Sequence, residues 1–220
     1  MVRLFECRLN FENPIASKRL LEIRHFFGED MESELLEFNR FDSRETKFHY
    51  PKVQFKILDT TAYLIALDDA AEFMQKAEAD DQIRIQPPEN LRVLHHGFET
   101  RIESIGITES PCDYKFVTPW LALNDRNFGN YTKTRSKQNR NDELNRILVG
   151  NCFSLINGLA IPLDGRMDIK CGRLTSVKAS INGRGQIGFL GTFTANLQLP
   201  SLIGLGKSVS RGFGTVTAIR

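Results

Sequence analysis

Long hydrophobic runs are missing from this chain. No stretch of its 220 residues approaches the roughly 18 apolar residues of a membrane-spanning helix. The opening segment MVRLFECRLNFENP alternates charged and apolar residues without an apolar run of signal-peptide length, so a cytoplasmic protein that does not engage a membrane is expected. Cysteine is sparse: Cys7, Cys112, Cys152 and Cys171 stand apart, with no C-x-x-C pair and no histidine at ligand spacing. That pattern indicates neither a zinc site nor a disulfide framework, and no metal or cofactor is expected. The single tryptophan, Trp120, follows Pro119 in an apolar setting that suits a core anchor. Low-complexity tracts are absent, and a hydrophobic fraction of 41% with 25% charged residues is ordinary for a globular protein.

Acidic residues are what the second half of the chain has little of. The overall charge of +2 conceals this. Residues 1–118 carry 15 Lys/Arg against 22 Asp/Glu, a net −7, whereas residues 119–220 carry 14 against 5, a net +9. A basic half of this kind is suited to a polyanion, because neutralising phosphates supplies most of the affinity for nucleic acid. Attraction between the two halves would produce the same asymmetry.

The first half reads as a β-α-β-β-α-β unit, the ferredoxin-like order. Val2–Phe11 alternates as a strand. Asn13 and Pro14 offer a helix start, Ala16, Leu20, Ile23 and Phe27 an apolar stripe, and Gly28 a stop. Val53–Leu58 and Ala62–Leu67 are strands about Asp59-Thr60, Asp68 caps a helix to about Ala77, and Gln82–Gln86 makes the last strand. The domain boundary is placed there, giving an N-terminal domain over 1–88 and a C-terminal one over 89–220. In the second half, Asp142 is read as the cap of a helix with the stripe Leu144, Ile147, Leu148, Cys152 and Leu155. Asn182-Gly183 makes a hairpin turn between strands. The expected fold is therefore α+β, two tandem ferredoxin-like domains, the second irregular and strand-rich.

Residues 204–214, GLGKSVSRGFG, pose the functional question. Glycine admits close approach of backbone N–H groups to an anion, and Lys207 and Arg211 add full positive charge. Gly206-Lys207-Ser208 imitates the end of a Walker A loop, but Ser201 stands where that motif needs its first glycine. Thr215–Arg220, which follows, is strand-like, whereas a P-loop opens a helix. What remains is a phosphate cradle or a ligand-free connection between strands.

The same segment, preceded by TFTANLQLP and followed by TVTAIR, resembles the glycine-rich loop of the repeat-associated RNA-binding (RAMP) superfamily. With HYPKVQFKI at 49–57, FVTPWLALN at 116–124 and the helix ILVGNCFSL, the likeness is to the b-type branch of the CRISPR repeat-RNA processing endoribonucleases. That resemblance implies two ferredoxin-like domains and metal-independent cleavage of repeat RNA that leaves a cyclic phosphate. It also implies RNA as partner, with a homodimer or association with other CRISPR proteins as further possibilities. Gly204, Gly206, Lys207, Ser208, Ser210, Arg211, Gly212 and Gly214 then become the RNA-binding loop. The basic stretch 126–141 adds Lys133, Arg135, Lys137 and Arg140, with Phe128 and Tyr131 able to stack on bases. As a solvated loop it would need none of them.

Attack by a ribose 2′-OH on the adjacent phosphorus calls for a base, an acid and positive charge or N–H groups for the phosphorane oxygens. Histidine suits both proton roles near neutral pH. Members of the resembling branch commonly carry two histidines, one residue apart, where this chain has Phe38-Asn39-Arg40. His49, immediately before Tyr50-Pro51, and His25, on the polar face of the first helix, are the substitute candidates. His95 and His96 are read as structural or RNA-contacting. The missing pair motivates the alternative, a cleavage-deficient repeat binder or assembly subunit.

Overall fold

The structure, a computed structural model, describes residues 1–40, 50–134 and 136–219, and the backbone alone at 125, 126 and 137. Two compact units emerge, one of residues 1–104 with 210–212 and one of residues 105–209 with 213–220. Among the described residues no helix is long and apolar enough to cross a membrane.

In the first unit, β1 (Val2–Phe11), β2 (Val53–Leu58), β3 (Thr61–Leu67) and β4 (Val93–Glu103) form one antiparallel sheet in the order β2-β3-β1-β4. Alternation decides which face is apolar. Phe5, Cys7 and Leu9 of β1 share a core with Val53, Phe55 and Ile57 of β2 and Leu64 of β3. Helices α1 (Leu20–His25), α2 (Glu29–Glu37) and α3 (Asp69–Ala79) supply Leu20, Ile23, Leu35, Ala70 and Met74 to that core.

Three local expectations change. The Asn13-Pro14 start yields no helix, because the Phe11 and Ile15 amides donate to Thr60 O and Asp59 O and tie this segment to the β2–β3 turn. The first helical turn is instead a short 3-10 piece at Ser17–Arg19. Gly28, at φ +79, does end the first helix and opens a second, α2. Gln82–Gln86 is not a strand: its ends bond to Ala77 O and Phe26 O, and the place beside β1 belongs to β4. The unit consequently runs on through Ser104, past the expected boundary at 88.

In the second unit, β5 (Gly106–Trp120), β6 (Ile169–Ile181), β7 (Arg184–Gln198) and β8 (Val216–Ala218) lie in the order β6-β7-β5-β8. Helices α4 (Asp125–Lys133) and α5 (Lys137–Gly158) follow β5. The cap of α5 is Ser136, whose Oγ accepts from the Asn139 amide, while Asp142 lies inside the helix and accepts from Gln138 Nε2. The expected stripe is buried at Leu144, Ile147, Leu148, Cys152 and Leu155. Asn182, at φ +51, and Gly183 form the β6–β7 turn. An aromatic stack fills the core, with Phe116 parallel to Trp120 at 5.1 Å and Tyr114 on Phe193 at 5.2 Å. Trp120 is wholly buried and satisfies its indole N–H on Asn151 Oδ1 at 2.9 Å.

Candidate RNA interface and proton-transfer residues

The glycine loop joins β7 to β8. Its two limbs pair, with Leu205 N donating to Gly214 O, Leu202 N to Val216 O and Val216 N to Ile203 O. It is also stitched to the end of β5. Lys207 N donates to Leu121 O, Gly214 N to Pro119 O, and Thr215 N to Thr118 Oγ1. Amides at 205, 207, 214 and 215 are thus spent inside the protein. The glycines serve this packing: a side chain at Gly206 would meet the Trp120 indole, and one at Gly214, at φ +64, would run into Leu205 O.

Gly204, Gly212 and Gly214 are buried, whereas Lys207 and Arg211 are exposed and Ser208 and Ser210 half-buried. The loop therefore offers an anion cationic and hydroxyl side chains. A groove in the second unit, lined by Asn182, Arg184, Gln186, Lys207 and Ser208, adds a second cation beside Lys207. Arg184 and Gln186 escaped the sequence reading. The Asn-Gly turn was the available signal, since it sets Arg184 at the tip of the hairpin.

The basic stretch is helical on both sides of residue 135. Lys133 is exposed at the end of α4, and Phe128 is exposed on the same helix. Tyr131 meets the edge of Phe189 at 5.6 Å, and Arg140 stacks over Tyr131 at 5.4 Å while donating to Thr134 O. Those last two side chains hold α4 and α5 to the fold. Arg135 lies outside the described residues, and of Lys137 only the backbone is described.

The histidine candidates part company. His49 lies outside the described residues. His25 ends α1 with an exposed ring whose Nδ1 is 2.5 Å from Glu32 Oε2, and Arg24 Nη2 donates to Glu32 Oε1 at 2.7 Å. His95 Nε2 pairs with Asn10 Nδ2 and His96 packs near Phe98, both on β4. Where a histidine pair is expected, Phe38 packs on Phe73, Asn39 exchanges two hydrogen bonds with the Val53 backbone, and Arg40 pairs with Glu37. Asn39 in effect extends the ladder at the start of β2.

On β2, Lys56 is fully buried and donates to Gln54 Oε1 at 2.9 Å, and Gln54 Nε2 donates to the Tyr50 hydroxyl at 2.9 Å. Burial pulls its pKa down to about 7. The loop's Gly212, grouped with the first unit, approaches Phe55 O and Lys56 Cα so closely that a side chain there would be crowded. Lys52, by contrast, is paired with Asp69 at 2.8 Å. Among the described residues no three His, Cys, Asp or Glu side chains converge to hold a metal ion.

Family models match the chain almost end to end, a Cas6b N-terminal domain over residues 1–99 and a Cas6b C-terminal domain over 106–219. The chain belongs to the Cas6b family. A crystal structure of a Cas6b shares 24% identity over the whole of both chains, with a TM-score of 0.83. A Cas6b described as a CRISPR RNA processing endoribonuclease also shares 24%, over 99% of this chain and all of the other, at TM-score 0.75. An uncharacterised protein of Methanocaldococcus jannaschii is 31% identical over 128 residues, 58% of this chain and 86% of that protein.

Proposed function

We propose that this protein is a CRISPR RNA-processing endoribonuclease that cuts repeat RNA without a metal ion, by attack of a ribose 2′-OH on the neighbouring phosphorus. The observation that carries this reading is Cas6b membership across both halves of the chain. Lys207, Arg211 and Arg184 supply charge for the phosphate backbone, and Ser208 and Ser210 supply hydroxyl donors. His25 and His49 are the proton-transfer candidates, with a cyclic phosphate and a free 5′-hydroxyl as the products.

A specific observation favours a second reading. Phe38 and Asn39 are engaged in packing and in the β2 ladder, so the segment expected to carry a histidine pair has structural work instead. On that reading the protein binds the repeat and leaves it intact. Cleavage of the cognate repeat RNA in EDTA, with a control carrying a 2′-deoxy sugar at the cut site, decides between the two. Cutting that survives EDTA and stops with the single deoxy sugar supports the first reading; tight binding with no cutting supports the second.

A further inference from the structure

His25 and Glu32 are seven residues apart, on two helices joined across Gly28. The Gly28 backbone, at φ +79, allows the reversal that sets the first turn of α2 against the end of α1. The two side chains differ sharply in environment, 68% exposed for His25 and 11% for Glu32. Glu32 accepts from the Arg24 guanidinium at 2.7 Å. Among the described residues the buried Nε of that guanidinium has no hydrogen-bond partner, while its Nη2 is held by Glu32. A carboxylate paired with arginine has no hydrogen to give. In the 2.5 Å contact with His25 the hydrogen must therefore sit on Nδ1 and be donated to Glu32. In the neutral imidazole Nε2 then keeps its lone pair, on a ring that is mostly in solvent, and among the described residues it has no hydrogen-bond partner.

We propose that His25 is the general base of the cleavage and that Glu32, clamped by Arg24, is the residue that positions it and sets its tautomer; this rests on the ribonuclease reading above. In the step, His25 Nε2 takes the proton of the 2′-OH while the O2′–P bond forms and the P–O5′ bond breaks. The electron pair of the broken bond stays on O5′, which takes a proton from water, and the imidazolium later returns its proton to water. Glu32 faces the imidazolium as it forms, the arrangement by which a buried carboxylate holds a catalytic histidine. Sequence alone hides the pair, because a spacing of seven falls on one helix face only if the helix is unbroken.

The test combines a spectrum with rates. Ring 15N NMR of the wild-type protein should show the neutral form of His25 protonated on Nδ1 and bare on Nε2. In single-turnover cleavage, His25→Ala should slow the reaction by roughly 10² to 10⁴-fold. Glu32→Gln should slow it at least about tenfold and mix the tautomers, and Glu32→Asp should recover part of the rate, with RNA affinity unchanged within about twofold in each. A neutral wild-type ring protonated on Nε2 overturns the proposal, as does a folded Glu32→Gln protein that cuts at the wild-type rate. Undiminished cutting by His25→Ala removes the base assignment while leaving the ribonuclease reading intact. A wild-type protein that binds and never cuts defeats that reading and the base assignment with it.

Discussion

The two units arrange their strands identically and differ in what links the third strand to the fourth. In the first, β3 is followed by α3, whose Ala70, Ala71, Met74 and Ala77 bury one regular face. In the second, β7 is followed by the glycine loop, which holds itself by limb-to-limb pairing and by bonds to the end of β5. A helix satisfies its own backbone and turns a polar face outward. A loop in the same topological place must borrow partners, needs glycines where the chain runs close to an indole or a carbonyl, and can project single cations. The two halves also treat cations oppositely: the acidic one buries Lys56, whereas the basic one displays Lys207 and Arg211.

The sharpest way to break this comparison is through the glycines. Gly214→Ala places a methyl against Leu205 O at a positive φ and should cost several kcal/mol, read as a fall in Tm of roughly 10 °C. Gly28→Ala meets open space and pays only for its φ, about 1 kcal/mol or a few degrees. Equal losses would mean that the loop is not braced as described.

Lys56 gives the next largest effect. Burial holds its folded pKa at about 7 against an ordinary 10.5, so between those values the unfolded chain binds more protons and stability rises with pH. Below about pH 7 the folded protein carries a buried ammonium. Lys56→Met should flatten the rise above pH 7 and add on the order of a few kcal/mol near pH 6, measured by urea unfolding across the range. A methionine variant with the wild-type slope would assign the pH dependence to other groups.

The smallest effect tests the displayed cations. Lys207→Ala with Arg211→Ala should weaken RNA binding by about tenfold and lower the salt dependence by one to two phosphate contacts. Lys76→Ala, exposed on α3, should leave both unchanged. A loop variant with wild-type affinity and slope would remove the loop from the interface.

Much of the architecture was legible locally. The Val53–Leu58 alternation, the apolar run Ala62–Leu67, the Asp59-Thr60 break and the Asn182-Gly183 turn carry their geometry in their own residues. Gln82–Gln86 misled for a physical reason: its alternation lets Ile83 and Ile85 cover the core, but a strand also needs a ladder partner, and β4 occupies that edge of β1. Asp142 misled similarly, since a good cap residue does not start a helix when Ser136 has already done so six residues earlier. Of the candidate site, Lys207 and Arg211 could be proposed from type and spacing. Glu32 and Arg184 could not, because it is a turn and a hairpin that bring them to His25 and Lys207.

Composition and pattern, then, are enough to establish two α+β units of opposite charge and a glycine loop rich in cations, because propensity, alternation and charge are properties of neighbouring residues. Which loop amides are spent, which lysine is buried and which carboxylate holds a histidine were decided by tertiary packing. Those outcomes depend on contacts between residues far apart in the chain, and on the desolvation that packing imposes.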